Sequence, residues 1–184
     1  MTKTGTLILF LIIALYFGIG GFIILENDLK YEKAKTLEKK EVYYNNKIKF
    51  HNKEVMNAAI QQDRILKIYP YAKQLPSAMS FIITALSFGM IGSIGKIIND
   101  SIKKKVRLSE TINLLLIPLQ GSIIGLIILG ISYVIPLLLT SDDVSLKPVT
   151  IVFLCLFGGI FYLDFYNWLD EIFKIMIFKN PDVE

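Results

Sequence analysis

One histidine, one cysteine and one tryptophan among 184 residues leave this chain short of the side chains that build metal, thiol and imidazole chemistry. His51 has no second imidazole or cysteine cluster to share an ion with, so a His-based metal site is excluded within one chain. A nucleophile–base triad would need that same His51, which lies in a polar segment far from the serines of the apolar stretches. Cys155 can form no intramolecular disulfide, and its apolar surroundings are those of a small packing residue. A phosphate-binding loop is missing as well. Gly89-Met90-Ile91-Gly92-Ser93-Ile94-Gly95-Lys96 has a suggestive glycine spacing but lies inside an apolar stretch rather than at a strand-to-helix turn. No catalytic residue, cofactor site or metal site is expected, and the chain is not expected to be an enzyme.

What the chain has in quantity is apolar length. Hydrophobic residues make up 53% of it, and the mean hydropathy is +0.53. Four uncharged stretches stand out: Leu7 to Leu25 (19 residues), Leu75 to Gly95 (21), Thr111 to Ser141 (31) and Pro148 to Leu163 (16), the last reaching Leu169 if Asp164 is tolerated. A bilayer core of about 30 Å is crossed by roughly 20 apolar helical residues, so the simplest reading is an all-α integral membrane protein of four helices. The first stretch is longer than the roughly 7–15-residue core of a signal peptide, and Phe22-Ile23-Ile24-Leu25 is a poor cleavage site, so residues 1–25 read as a retained anchor.

Residues 26–74 differ in character, with eleven Lys/Arg, seven Asp/Glu, and neither Gly nor Pro between Phe22 and Tyr69. That absence predicts helix throughout. Heptad-spaced positions Leu37, Tyr44, His51, Ala58 and Ile65, with Glu41, Ile48, Val55, Gln62 and Tyr69, form a seam able to pair as a coiled coil. One straight helix of this length would run about 70 Å, yet both ends must return to one membrane face. A helical hairpin between spans one and two is therefore expected, turning at Asn45-Asn46 or at Asn52. The organisation that follows is an anchor (1–25), a polar helical segment able to hold a protein partner (26–74), a three-span bundle (75–169), and an amphipathic helix end with its tail (170–184).

Lys103, Lys104, Lys105 and Arg107 sit close against the second and third spans, where the positive-inside bias acts most strongly. They favour cytoplasmic termini with the polar segment outside. The basic residues of 26–74 argue the other way. A second stretch rich in small residues (Ser87, Gly89, Gly92, Ser93, Gly95) could also be broken or re-entrant. Topology accounts for the Lys103–Arg107 run, so nucleic-acid binding is not expected.

Small residues recur at helix-contact spacing: Ala14 and Gly18, then Ala85, Gly89 and Ser93, then Gly121 and Gly125, then Gly158-Gly159. This is more small-residue surface than one bundle is expected to use, and it predicts a homo-oligomer. Pro118 and Pro136 predict a kinked or tilted third span. Asn113 and Gln120 share one face of that span and need partners at membrane depth. Asp164, Asn167, Glu171 and Lys174 make a polar stripe at i, i+3, i+7 and i+10, with Trp168, Tyr162 and Tyr166 suited to the headgroup boundary. The stripe reads as a solvated face, a ring of carboxylates at a pore mouth, or a proton or cation site. Asp164 is its deepest member.

Leu75-Pro76, Phe88-Gly89 with Gly92, Pro118-Leu119-Gln120-Gly121 with Gly125, and Phe157-Gly158-Gly159 with Trp168-Leu169 together resemble small uncharacterised bacterial membrane proteins built from an anchor, a coil and three further spans. The resemblance covers a little over half the chain. It implies an inner-membrane location and an accessory or effector role in antiphage systems, including those of RNA-targeting CRISPR nucleases. Two functions are expected. One is an oligomeric pore or permeabilising effector, and the other a membrane-anchored adaptor that recruits a partner through residues 26–74.

Overall fold

The structure, a computed structural model, describes residues 3–44, 48–104, 111–139 and 148–178. The first helix, α1 (Lys3–Lys35), continues ten residues past its apolar run. Its exposed polar turns carry Lys30–Glu26 and Lys35–Glu32 ion pairs, each at 2.8 Å, a modest local support for helix. It stops where Thr36 turns back, its backbone N–H and Oγ1 both donating to the Lys33 carbonyl.

The helical hairpin expected over 26–74 forms only in part: the end of α1 and the helix over Lys53–Ile68 are its arms, and residues expected to be helical between them pair as strands instead. Two short antiparallel strands, β1 (Val42–Tyr44) and β2 (Ile48–Phe50), follow α1, paired Val42 to Phe50, Tyr43 to Lys49 and Tyr44 to Ile48. Val, Ile and aromatic residues on both sides of an Asn pair suit a half-exposed ribbon better than a helix. Asn45-Asn46 lies outside the described residues. Asn52 caps α2 (Lys53–Ile68), with Oδ1 accepting from the Val55 N–H at 2.8 Å; a side-chain oxygen there satisfies one of the helix's unpaired donors. A short 3-10 turn over Pro70–Gln74 leads into the bundle.

The bundle is organised around α3 (Ser77–Lys104), which packs against α1, α4 (Thr111–Leu139) and α5 (Pro148–Ile160). The glycine-rich second stretch is therefore one continuous helix, and the break falls later. After α5 the chain bends by 96° at Phe161 into α6 (Tyr162–Phe178). The fourth stretch is thus two helices instead of one rod. With 13 residues, α5 alone is about 20 Å long, short of the bilayer core. Among the described residues three helices are long and apolar enough to cross a membrane, and four spans result if the bent pair acts as one. The class is all-α apart from the one small ribbon.

Two apolar clusters hold the bundle. Ala85, Ile124, Ile128, Leu129, Ile151 and Cys155 join α3, α4 and α5, and Leu7, Ile94 and Leu114 join α1, α3 and α4. Buried hydroxyls bond along their own helices: Thr84 to the Ser80 carbonyl (2.7 Å), Ser93 to Met90 (2.9 Å), Ser122 to Pro118 (3.2 Å) and Ser132 to Leu129 (2.7 Å). Each satisfies a polar group without help from outside the bundle.

Candidate functional site

Glycine positions set the distances between the bundle helices. A Cβ on Gly89 would strike the Gly121 carbonyl, and one on Gly125 would strike the Ala85 carbonyl. Gly121 lies against the Ser93 hydroxyl and the Gly89 carbonyl. Ala85, Gly89, Ser93, Gly121 and Gly125, singled out by spacing alone, therefore meet one another across α3 and α4. The same crossing admits α5, because Gly159 lies against the Gly89 carbonyl and Gly92 against the Leu156 carbonyl. Cys155 is fully buried there, with Sγ 3.4 Å from the Gly125 carbonyl. On the other side of α3, Gly21 leaves room for the Thr84 side chain and Gly18 packs on Ser87 and Phe88.

These contacts use, within one chain, small-residue faces that spacing alone offered to partners. The faces meet one another, whereas Gly95 and Gly130 have open space where a side chain would stand.

A second assembly rises from this base. The distal end of α1 and all of α2 lie side by side and antiparallel. Asn52 Nδ2 donates to the Ala34 carbonyl at 2.7 Å, and Ile24 packs on Ile65 and Ala72. Between them Asn27, 2% exposed, donates from Nδ2 to Gln62 Oε1 at 2.6 Å and to the Ala58 carbonyl at 3.3 Å. Asn27 Oδ1 has no partner among the described residues. Val55, Ala58 and Ile65 of the heptad seam are buried, while Leu37, Tyr44 and Ile48 of the same seam are exposed on the loop and ribbon. The seam is used only from α2 onward, and its partner is α1.

Where this hairpin meets the bundle, Tyr16, Phe17, Tyr69 and Tyr71 form an aromatic group with ring centroids 5.0 to 6.2 Å apart. Gly20 makes room for it, since a Cβ there would lie 2.7 Å from the Tyr71 hydroxyl. The Tyr16 hydroxyl donates to the Ile68 carbonyl at 3.0 Å, and that of Tyr71 to the Phe17 carbonyl at 3.4 Å. Burial, with Tyr16 and Tyr69 close by, pushes the Tyr71 hydroxyl up to about 12.

At the far end Leu37, Tyr43, Tyr44 and Ile48 are 47%, 58%, 38% and 54% exposed. Lysines surround them, and Glu41 joins Lys49 (2.8 Å) to Lys39 (3.4 Å). The bond from Lys49, then that from Lys39, holds Glu41 below the usual carboxylate range. His51 Nε2 lies 3.1 Å from the Leu37 carbonyl, which ties the loop to the start of α2.

The polar candidates of the bundle are less concentrated. Gln120 is half-buried on α4. Asn113 begins the same helix, and its side chain lies outside the described residues. Asp164, Asn167 and Glu171 are all exposed on α6, where Asp170 pairs with Lys174 at 2.6 Å. Asp164 is thus not a buried carboxylate within the chain. Among the described residues no three His, Cys, Asp or Glu side chains gather as a metal site.

The Asn27–Gln62 pair and the Gly20 recess escape a sequence reading that assigns residues 1–25 to the membrane and begins the heptad seam at Leu37. Gly20, Asn27 and Ala34 at seven-residue spacing were the available signal. Comparison with known protein families, curated proteins and solved structures found no match to any of them.

Proposed function

We propose that this chain is a multi-pass protein of the bacterial inner membrane, with both termini cytoplasmic, whose glycine-locked bundle anchors a projecting hairpin that recruits a partner protein. The observation that carries the reading is the uncovered group at the hairpin's end. Leu37, Tyr43, Tyr44 and Ile48 are exposed on a ribbon beyond the last turn of α1. Lys35 lies ten residues past the end of the apolar run, about 15 Å along the helix axis, where lipid tails do not reach. Tyr44 and its cross-strand neighbour Ile48 share one face of the ribbon and Tyr43 stands on the other; exposed apolar surface of this kind marks protein contacts, and Tyr is among the residues enriched at interface cores. The buried Asn27–Gln62 contact and the aromatic base support a hairpin held in one orientation, as a docking element requires. Same-side termini follow when α5 and α6 act together as one span.

The test is a photo-crosslinker placed at Tyr43, read in native membranes, beside a pulldown with Tyr43→Ser/Ile48→Ser. A single crosslinked partner that the double variant fails to capture supports recruitment, and the products of neighbouring defence genes are the first candidates. An unchanged set of captured proteins removes it.

The pore reading retains one supporting observation, the exposed Asp164, Asn167 and Glu171 on a helix bent by 96° from α5. Purified protein in liposomes separates the two. Cation flux that Asp164→Asn reduces would favour the pore, and sealed vesicles at high occupancy would favour the anchor.

A further inference from the structure

We propose that the trough between the start of α1 and the end of α3 is a binding site for one anionic phospholipid. The inference rests on the membrane placement above and is independent of any protein partner. Leu7 and Leu11 from α1 and Ile98 and Ile102 from α3 wall an open cavity of about 280 Å³. Ile102 is 73% exposed at its edge. The trough is apolar along its length, and Thr4 and Ser101 stand among its lining residues.

Its depth follows from packing. Leu7 and Ile94 sit in one cluster, so Thr4, one turn before Leu7, and Ser101, two turns beyond Ile94, lie at the end of the bundle opposite the hairpin. Ser80 meets Gly21 near the hairpin end, and the 18 residues from there to Ile98 span about 27 Å. That is close to the thickness of a hydrocarbon core. Thr4 and Ser101 therefore fall at headgroup level, while Leu11 lies below them among the acyl chains.

Charge decides which lipid fits. Lys103 is exposed on the last turn of α3 beside Ile102, and Lys104, Lys105 and Arg107 follow in sequence with no acidic residue before Glu110. The one carboxylate on the last three turns of α3, Asp100, faces Lys96 at 3.9 Å. The first acidic residue of α1 is Glu26, at the other end. An acyl chain fills the trough, its phosphate lies at the level of Thr4, Ser101 and Lys103, and its net negative charge complements Lys103. A zwitterionic lipid offers the same chain and phosphate but adds a positive group against that lysine.

Native mass spectrometry of the delipidated full-length protein, titrated with dioleoyl phosphatidylglycerol or dioleoyl phosphatidylcholine, tests the site. The first phosphatidylglycerol should bind at least about fivefold more tightly than phosphatidylcholine, and Lys103→Gln should weaken it by about fivefold, the worth of one lysine near an anionic surface. Ser101→Trp, which blocks the trough, should remove this first tight site. Should Ser101→Trp fail to fold, Ile102→Asp at the exposed edge asks the same question by repelling the phosphate. Equal affinity for the two lipids overturns the proposal. So does a phosphatidylglycerol preference that survives the blocking variants, which would assign it to the basic surface alone. A protein that stays in solution without detergent would overturn the membrane placement itself, before any lipid is added.

Discussion

Gly159 and Gly89 approach so closely that the Gly89 carbonyl occupies the space a Cβ on Gly159 would need, and the Gly89 carbonyl carbon lies 2.9 Å from that position. Three helices share this crossing, because Gly89 is also the neighbour of Gly121 and Gly125. Without strong hydrophobic driving between helices in lipid, such contact gains its strength from van der Waals packing at short range. A side chain at the crossing forces whole helices to move.

Gly89→Ala should accordingly destabilise the bundle by about 1–3 kcal/mol, the usual cost of overpacking. Gly130→Ala, on α4 with nothing within 4 Å, should cause no loss, since alanine is the better helix former. Unfolding of both variants in mixed micelles with increasing denaturing detergent measures the contrast. Equal stability of the two would mean the crossing is looser than described.

Asn27 and Gln62 hold α1 and α2 in alignment through a 2.6 Å hydrogen bond in a buried seam. Removing one partner leaves the other unpaired, so Asn27→Leu should cost about 1–3 kcal/mol. Replacing both, Asn27→Leu with Gln62→Leu, should restore most of that stability while relaxing the alignment, because a buried polar pair specifies geometry more than it adds strength. Hydrogen exchange across 53–68 reads stability, and crosslinking between cysteines at Ala34 and Val55 reads alignment. A double variant as unstable as the single would contradict this.

Tyr71 supplies a pH dependence whose sign is fixed by its shift. Its unfolded hydroxyl ionises near 10 and its folded one at about 12. Between those values the unfolded state binds fewer protons, so stability is intact below pH 10 and falls as pH rises toward 12. The slope of unfolding midpoint against pH from 9 to 11.5 should be shallower in Tyr71→Phe than in the parent. Parallel slopes would mean the hydroxyl reaches water when the protein is folded.

Orientation is testable at two described positions, once Cys155 is replaced. With the hairpin outside the cell membrane, Lys40→Cys should react with an impermeant thiol reagent in intact cells and Lys103→Cys should not. The reverse labelling pattern would invert the topology.

Much of the bundle was legible in the sequence because apolar runs of sufficient length have few alternatives to helix, and glycine spacing marks where helices come close. The hairpin was legible only in part. Lack of Gly and Pro favours helix without enforcing it, and Val42-Tyr43-Tyr44 with Ile48-Lys49-Phe50 paired as strands instead. The heptad positions of α2 were visible, but a heptad does not name its partner. The polar stripe of α6 was visible too, though not the 96° bend that separates it from α5.

Composition alone determined that this chain builds helices around apolar length and that, with one histidine and one cysteine, one chain cannot assemble a multi-His or multi-Cys site, because those outcomes depend on which side chains exist. Tertiary structure decided which surfaces were spent. Small residues on α1, α3, α4 and α5 could have served neighbouring copies, yet folding closes them on one another, since contacts within one chain form without the entropy cost of bringing molecules together. It likewise decided that the polar end of α1 serves as the partner of α2, leaving Tyr43, Tyr44 and Ile48 uncovered at the far tip. Pairings of this kind depend on residues distant in sequence, and local pattern carries no information about which of several compatible faces will meet.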